Sequence, residues 1–317
     1  MSTEPPAWPL TEPGENQPSP AEVLRKLQLE LSAADLQRVG DRSLVGRSGA
    51  FVGSVIESHR SLPRAMNRAR NHIGDLAVRG RSAASGTIIL ADQLNLGKGR
   101  FARSWHAPLG GLWGCMIFAD TLLPRWRGFI PLAVGAACCQ TVRDAYGVAA
   151  NIRWVNDVLV AGKKLAGFLV EGYREPRQGE DYALIGFGIN VNNTDFPGEL
   201  EASAVSLSQV CGKTIDLTDF TTTFLAKLAC NFGILLVEEA AHLRGEGFAG
   251  REGCHLLLDR WVSLCDSIGK RVVYGFDVVS APQYLAEVVG VEEGGGLRLR
   301  LPDGSLLTEY SGEIRYI

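Results

Sequence analysis

Three segments of the chain carry residues whose types and spacing suit the handling of phosphate and carboxylate groups. In residues 152–171, IRWVNDVLVAGKKLAGFLVE, Asn156, Asp157 and Lys164 sit in apolar, strand-like sequence around a tight turn. An ammonium there can neutralise charge that develops on a phosphoryl or acyl group, and the Asn-Asp pair can fix a nucleotide or metal-bound phosphates. Taken alone, the same stretch reads as a hairpin with a turn pair and a lysine that snorkels to water, because burying an unpaired ammonium is prohibitive. Residues 97–105, GKGRFARSW, offer glycines that let backbone N–H groups approach an anion, cations at Lys98, Arg100 and Arg103, and Trp105 to cover a flat heterocycle. This is not a Walker A loop, since GxxxxGK(S/T) is absent, and a solvated basic turn is the plain alternative. In residues 186–193, GFGINVNN, glycines within a strand mark a place where a ligand or another backbone comes close, with Asn190 at the end. A bulge leading into a turn at Asn192 and Asn193 fits that segment equally well.

Other chemistries find little support. The 5 histidines form no ligand set with cysteine or carboxylate spacing, and there is no GxSxG, so neither a direct protein metal site nor serine-hydrolase chemistry is expected. A net charge of -3 leaves no basic excess to neutralise phosphates, which argues against a nucleic-acid partner. The 7 cysteines are an odd number without a CxxC pair, which suits reduced thiols in a cytosolic protein. No apolar run approaches the roughly 20 residues of a membrane span, and the acidic, proline-containing start is unlike a signal peptide, so a cytoplasmic protein without a membrane partner is expected.

These residues need elements to hold them. Residues 1–20 are rich in proline and polar side chains and read as a disordered N-terminus. Residues 21–51 read as a helical extension, with Pro20 suited to a first helical position and Val23, Leu24, Leu27 and Leu31 at helical spacing. Residues 52–268 have the texture of a mixed α/β domain. Strands are expected at 53–56, 87–91, 112–119, 152–155, 158–170 as a hairpin, and 183–191, with helices at 62–73, 129–146 and 219–242. Period two places Lys164 with Ala166, Phe168 and Val170, and sets Leu165, Gly167, Leu169 and Glu171 on the opposite face. In residues 269–317, short strands at 272–276, 285–289, 297–301 and 306–310 follow the pattern of a small β-barrel, with Asp303-Gly304 a strong hairpin signal. The fold class is therefore α+β, with a mixed, largely antiparallel sheet, flanking helices and a small C-terminal barrel.

Taken in order, the three segments resemble the biotin protein ligase family, within the wider group that includes lipoate ligases. Its glycine- and arginine-rich loop ending in tryptophan resembles residues 97–105, and its KWPND segment resembles RWVND at 153–157. Its KLAGIL(V/L)E strand resembles KLAGFLVE at 164–171, its GGIN strand residues 186–190, and its last strand Gly312-Glu313-Ile314. The resemblance implies a class II aminoacyl-tRNA synthetase-like catalytic domain with an SH3-like C-terminal barrel. It also implies a two-step ligation, in which biotin and MgATP give biotinyl-5′-adenylate and a lysine of a biotin carboxyl carrier protein then takes the biotinyl group. By the same resemblance Lys164, Arg100 and Asp157 are catalytic, and Arg100, Arg103, Trp105, Asn156, Asp157 and Asn190 bind ATP, with Mg2+ held through the phosphates near Asn156 and Asp157. Ser58, His59, Gly97, Lys98, Trp113, Gly167 and Gly186 would contact biotin. Family members often pair through sheet edges, so a homodimer is compatible with the resemblance.

The chain departs from the family pattern at the vitamin end more than at the phosphates. Glu57-Ser58-His59-Arg60 stands where the family has DSTN, Leu94 where it has glutamine beside Gln93, Lys98 for arginine and Ala102 for glycine. Two further readings follow: the same adenylation chemistry on lipoate or another acyl acid, and a non-catalytic sensor of biotin or its adenylate.

Overall fold

The computed structural model describes residues 12–32, 36, 41–246 and 255–317. Two helices, α1 (Pro20–Glu30) and α2 (Arg42–Gly49), precede a sheet of seven strands: β1 (Ile56–Leu62), β2 (Thr87–Leu94), β3 (Leu112–Ala119), β4 (Ala150–Arg153), β5 (Asp157–Val160), β6 (Lys163–Arg174) and β7 (Asp181–Ile189). Their spatial order is β1-β2-β3-β7-β6-β5-β4. Only β1 and β2 run parallel, and every other neighbouring pair is antiparallel, which is the mixed, largely antiparallel sheet read from the sequence. Helix α3 (Ala65–Val78) links β1 to β2 and α4 (Phe129–Tyr146) links β3 to β4, while α5 (Leu207–Cys211), α6 (Leu217–Leu243) and α7 (Leu256–Leu264) follow the sheet.

Alternation along the strands divides the core in two. Ile88, Leu90, Met116, Phe118, Ile185 and Phe187 face α4 and α6, which are buried in the same core. Ile89, Ala91, Cys115, Ile117 and Leu184 face the other way, onto Ala65, Met66, Ala69 and Ile73 of α3. Helix α3 touches β2, β3 and β7, so the part of this face over β6 is left for the loop that follows β2.

Several elements differ from the expectation, each for a local reason. The first strand starts at Ile56, because Gly53 turns the chain with φ 75. The helix expected from Leu62 begins at Ala65, since Pro63 biases Leu62 to an extended conformation. Residues 12–19, expected to be disordered, are placed along the free edge of β1; residues 1–11 lie outside the described residues. There Arg60 N–H donates to the Glu12 carbonyl (2.9 Å) and Gly14 N–H to that of Ser58 (3.2 Å), while the Asp92 carboxylate accepts from the Glu15 and Asn16 N–H groups. The α6 helix, 27 residues long, is apolar enough to cross a membrane, contrary to the expectation that no run is. It is instead a core helix, 89% buried over its most apolar window. Its Lys227 ammonium is satisfied at 2.7 Å by both Glu30 of α1 and Asp144 of α4.

A second, five-stranded antiparallel sheet follows, with β8 (Arg271–Gly275), β9 (Tyr284–Val291), β10 (Leu297–Arg300), β11 (Leu306–Glu309) and β12 (Glu313–Tyr316) in the order β11-β10-β9-β8-β12. This arrangement is consistent with an SH3-like domain. Strand β12, foreshadowed only by the resemblance of Gly312-Glu313-Ile314, pairs with β8.

Helices α2 and α6 cross with their backbones in contact: a Cβ on Gly49 would lie 1.9 Å from the Ala229 carbonyl oxygen, and one on Gly233 would lie 2.2 Å from that of Val45. Gly233→Ala should therefore destabilise the protein by about 1–3 kcal/mol in a urea melt, because the backbone must shift and this outweighs the helix propensity of alanine. A midpoint equal to wild type would mean that α2 does not lie on α6 in solution.

Candidate functional site

The site begins with an irregularity in the hairpin of β5 and β6. Ala161 and Gly162 take φ 48 and 79, the left-handed pair of a tight two-residue hairpin turn. Beyond the turn Leu159 pairs with Lys164 but Val158 pairs with Ala166, so Leu165 is an extra residue, a β-bulge. Leu165 and Ala166 are both fully buried in the α4/α6 core. The phase of the strand reverses there, and Lys164 stands on the same face as Gly167 and Leu169, not with Ala166 and Phe168 as strict alternation predicts. Its backbone is held from outside the sheet, donating to the Ser203 carbonyl (2.7 Å) and accepting from Val205 N–H (3.1 Å).

On this face the strands are bare. Gly167 of β6 pairs with Gly188 of β7, and Gly186 pairs with Leu169. A Cβ on Gly188 would lie 2.6 Å from Trp105 Nε1 and one on Gly167 would lie 3.1 Å from Trp105 Cζ3, so the indole rests on a floor that only glycine leaves open. The Lys164 ammonium lies 5.1 Å from the Trp105 ring centroid, a cation–π distance. The indole Nε1 is buried with no hydrogen-bond partner among the described residues. Around this floor lies a cavity of about 230 Å3.

Charge is concentrated at one end of it. Asp157 holds Lys164 Nζ with one carboxylate oxygen and Arg153 Nη2 with the other, both at 2.6 Å. Burial by itself would raise the Asp157 carboxyl, but the two cations outweigh it and hold the group below its ordinary value. Arg100 donates to the Gly312 carbonyl (2.8 Å) and to Asn156 Oδ1 (3.2 Å). Burial lowers its pKa, though not enough to matter for a guanidinium. Arg103 forms ion pairs with Glu313 (2.9 Å) and Asp277 of the second sheet region. Between them Phe101 takes the left-handed turn of the loop (φ 54), with the two guanidinia 4.9 and 5.5 Å from its ring. Asn156 Nδ2 donates to the Phe168 carbonyl (2.7 Å), and Asn190 Oδ1 accepts from Asn193 Nδ2 (3.0 Å).

Of the residues singled out from sequence, Gly97, Lys98, Arg100, Arg103, Trp105, Trp113, Asn156, Asp157, Lys164, Gly167, Gly186 and Asn190 all line this one cavity. Ser58 and His59 do not. Ser58 Oγ donates to the Asn16 carbonyl (2.6 Å), and His59 Nε2 lies 3.5 Å from Glu57. They belong to the body of β1, which continues to Leu62, and the junction that reaches the cavity is Arg64-Ala65-Met66. Leu94 also lines the cavity whereas Gln93 does not, so the neighbouring glutamine does not take its place. Arg153 was within the quoted RWVND segment but unassigned, while nothing in the sequence pointed to Arg64 or Met66. Among the described residues no three His, Cys, Asp or Glu side chains gather to hold a metal ion.

Comparisons with known proteins follow the same lines. Residues 68–190 match the model of the Biotin/lipoate A/B protein ligase family. The bifunctional ligase/repressor BirA of Bacillus subtilis is 38% identical over 138 residues, 43% of this chain and 42% of that protein, so the matched stretch spans less than half of the relative. A biotin--acetyl-CoA-carboxylase ligase of Paracoccus denitrificans is 26% identical over 222 residues, 68% of this chain and 85% of that one. The solved structure of biotin protein ligase from Aquifex aeolicus in complex with biotin and ATP superposes with a TM-score of 0.63 at 20% identity, covering 83% of this chain and 98% of that one. At that identity the likeness establishes the fold.

The depressed pKa of Asp157 has a sign that can be tested. The group contributes stability that is complete above its unfolded value of about 4 and is lost as the pH falls through the lower folded value. Asp157→Asn should be less stable than wild type near neutral pH, where it leaves Lys164 and Arg153 facing each other, and should lose little more below about pH 4, where wild type declines. Parallel acid-melting curves for the two proteins would contradict this electrostatic account.

Proposed function

We propose that this chain, whose residues 68–190 match the biotin/lipoate A/B protein ligase family, activates biotin with ATP and transfers it, in the cytoplasm, to a lysine of a biotin carboxyl carrier protein. In the first step a biotin carboxylate oxygen attacks the α-phosphorus of ATP, the bond to the β-phosphate breaks, and biotinyl-5′-adenylate and pyrophosphate result. In the second step the amine of the acceptor lysine attacks the acyl carbon, the bond to phosphate breaks, AMP leaves and the amine loses a proton. Both steps place negative charge where fixed cations can stabilise it without reorganising.

The observation that carries the reading is the bulge at Leu165, which puts Lys164 over a bare glycine floor beside Arg100 and an ionised Asp157. Lys164 would bridge the acid and the α-phosphate. Asp157, an acceptor-only carboxylate in this state, would orient the amine of the incoming lysine through the oxygen that Lys164 vacates when it turns to the acid and the α-phosphate. Arg100 and Arg103 would meet the nucleotide, Arg103 exchanging its carboxylate partners Asp277 and Glu313 for phosphate oxygens. Trp105 would leave the floor to lie by the adenine, opening Gly167 to the acid, with Gly97, Lys98, Trp113 and Gly186 completing the wall and Asn156 and Asn190 by the nucleotide. Mg2+ fits best as a companion of the nucleotide, because both oxygens of Asp157 are already taken by cations. A homodimer through the β1 edge would have to displace residues 12–14.

A second reading is favoured by one feature: Leu94 and Met66 give the cavity an apolar stretch beyond Gly167, which suits an alkyl acid such as lipoate. Acid-dependent exchange of labelled pyrophosphate into ATP separates the two, with biotin expected to support it and lipoate and octanoate to do so poorly. Lys164→Ala should lower exchange at least about a hundredfold while the fold is retained. Exchange with lipoate alone would replace biotin by lipoate, and full exchange in Lys164→Ala would remove the mechanism.

A further inference from the structure

The adenylation chemistry leaves one cation of the cavity unused. Arg64, the residue before α3, lines the cavity with its side chain 20% exposed. Its nearest carboxylate is Glu171, with Nη2 to Oε1 at 3.7 Å, too long for a hydrogen bond, and the other oxygen of Glu171 is taken by Arg70. The remaining guanidinia of the cavity, Arg100 and Arg103, are engaged by the Gly312 carbonyl, Asn156, Asp277 and Glu313. Arg64 thus makes no side-chain hydrogen bond to another described residue, whereas Arg100 and Arg103 are each held by hydrogen bonds.

Its position along the sheet says what those donors meet. Strand β6 presents Gly167, Leu169 and Glu171 in turn on the cavity face. Lys164 folds over Gly167, its Cε 3.0 Å from where a Cβ would be, and Arg64 stands at Glu171. Four strand residues separate the two cations by about 13 Å. The space between them is apolar: Met66 Sδ lies 3.0 Å from the Cβ position of Gly186, with Leu169 and Leu94 alongside. The sequence of environments along the cavity is cation, apolar channel, hydrogen-bond donor. Glu171, which pairs more closely with Arg70, offsets the charge of Arg64 only in part, and a neutral oxygen reaches the donor at the end of an apolar channel without the desolvation cost of a second carboxylate.

We propose that Arg64 is a specificity-determining residue that selects, among acids able to react at Lys164, those whose far end carries a neutral oxygen acceptor such as the carbonyl of a cyclic urea. The inference rests on the ligase reading and deepens it. The hydrogen bond it supplies is charge-assisted, and leaving such a group without its partner costs binding, whereas an alkyl end has nothing to offer it.

Pyrophosphate exchange by the full-length protein tests this with four acids: biotin and desthiobiotin, which share the cyclic urea, octanoate, which ends in a methyl group, and pimelate, which ends in a second carboxylate. Wild type should use the first two in preference to the others. Arg64→Met should raise KM for biotin and desthiobiotin about ten- to a hundredfold, with kcat within about twofold and KM for ATP unchanged, and Arg64→Lys should restore part of the loss. An unchanged KM for biotin in Arg64→Met, or a fall in kcat and a rise in KM for ATP together, overturns the inference while leaving the ligase reading standing. Preference of wild type for pimelate also overturns it, since the donor would then be reading charge. Exchange by wild type with none of the four acids rejects the ligase reading and the inference with it.

Discussion

Lys164 can face the cavity only because β6 carries one residue more than its partner. Without the bulge at Leu165, a strand in strict alternation would send that ammonium into the α4/α6 core together with Ala166, Phe168 and Val170, where it would have no partner. With it, two successive apolar side chains are buried and the lysine emerges on the opposite face, next to a carboxylate that needs a cation. The Asp157 carboxylate then sits between Lys164 and Arg153, and this pairing makes a largely buried charge tolerable. The backbone of Lys164, tied to Ser203 and Val205, keeps the irregular end of the strand from fraying.

The glycines complete what the bulge begins. Gly167 and Gly188 lie opposite each other in adjacent strands and remove two side chains from the same patch of sheet, so a flat ring can lie directly on the backbone. Trp105 does so here, with its indole nitrogen unpaired, an arrangement whose cost is that of a buried donor without an acceptor. In the proposed reaction, a ligand on the floor would relieve that cost by releasing the ring. The loop bearing Trp105 is moored to the second sheet by Arg100 at Gly312 and by Arg103 at Asp277 and Glu313. The Arg103 pairs are exposed and each contributes little on its own, while the Arg100 contact is partly buried.

Much of this was legible beforehand. The order of the three segments, the antiparallel hairpin with its Ala161-Gly162 turn, the α4 helix at Phe129–Tyr146 and the run of short C-terminal strands all follow from period, turn chemistry and apolar content, which are local properties. The misplacements were local too. Gly53 and Pro63 moved the starts of β1 and α3 by several residues, and Ser58 and His59, assigned to the cavity from the resemblance alone, lie in the body of β1 instead. Residues 12–19, polar and proline-bearing, gave no sign that Asp92 would gather the Glu15 and Asn16 N–H groups and hold them along the edge of β1.

The sequence by itself determined which residues could do chemistry, because lysine, arginine and aspartate carry their charge wherever they are put, and glycine its lack of a side chain. Only the tertiary structure decided which of them face one another. A single extra residue reverses the face of everything before it, and a bulge leaves no mark in apolar periodicity when both of its residues, Leu165 and Ala166, are themselves apolar. Arg64 and Met66 illustrate the same limit. They follow an unremarkable strand, nearly a hundred positions before the segment that carries Lys164, and they meet its strand only because β1, α3 and β7 fold onto one sheet.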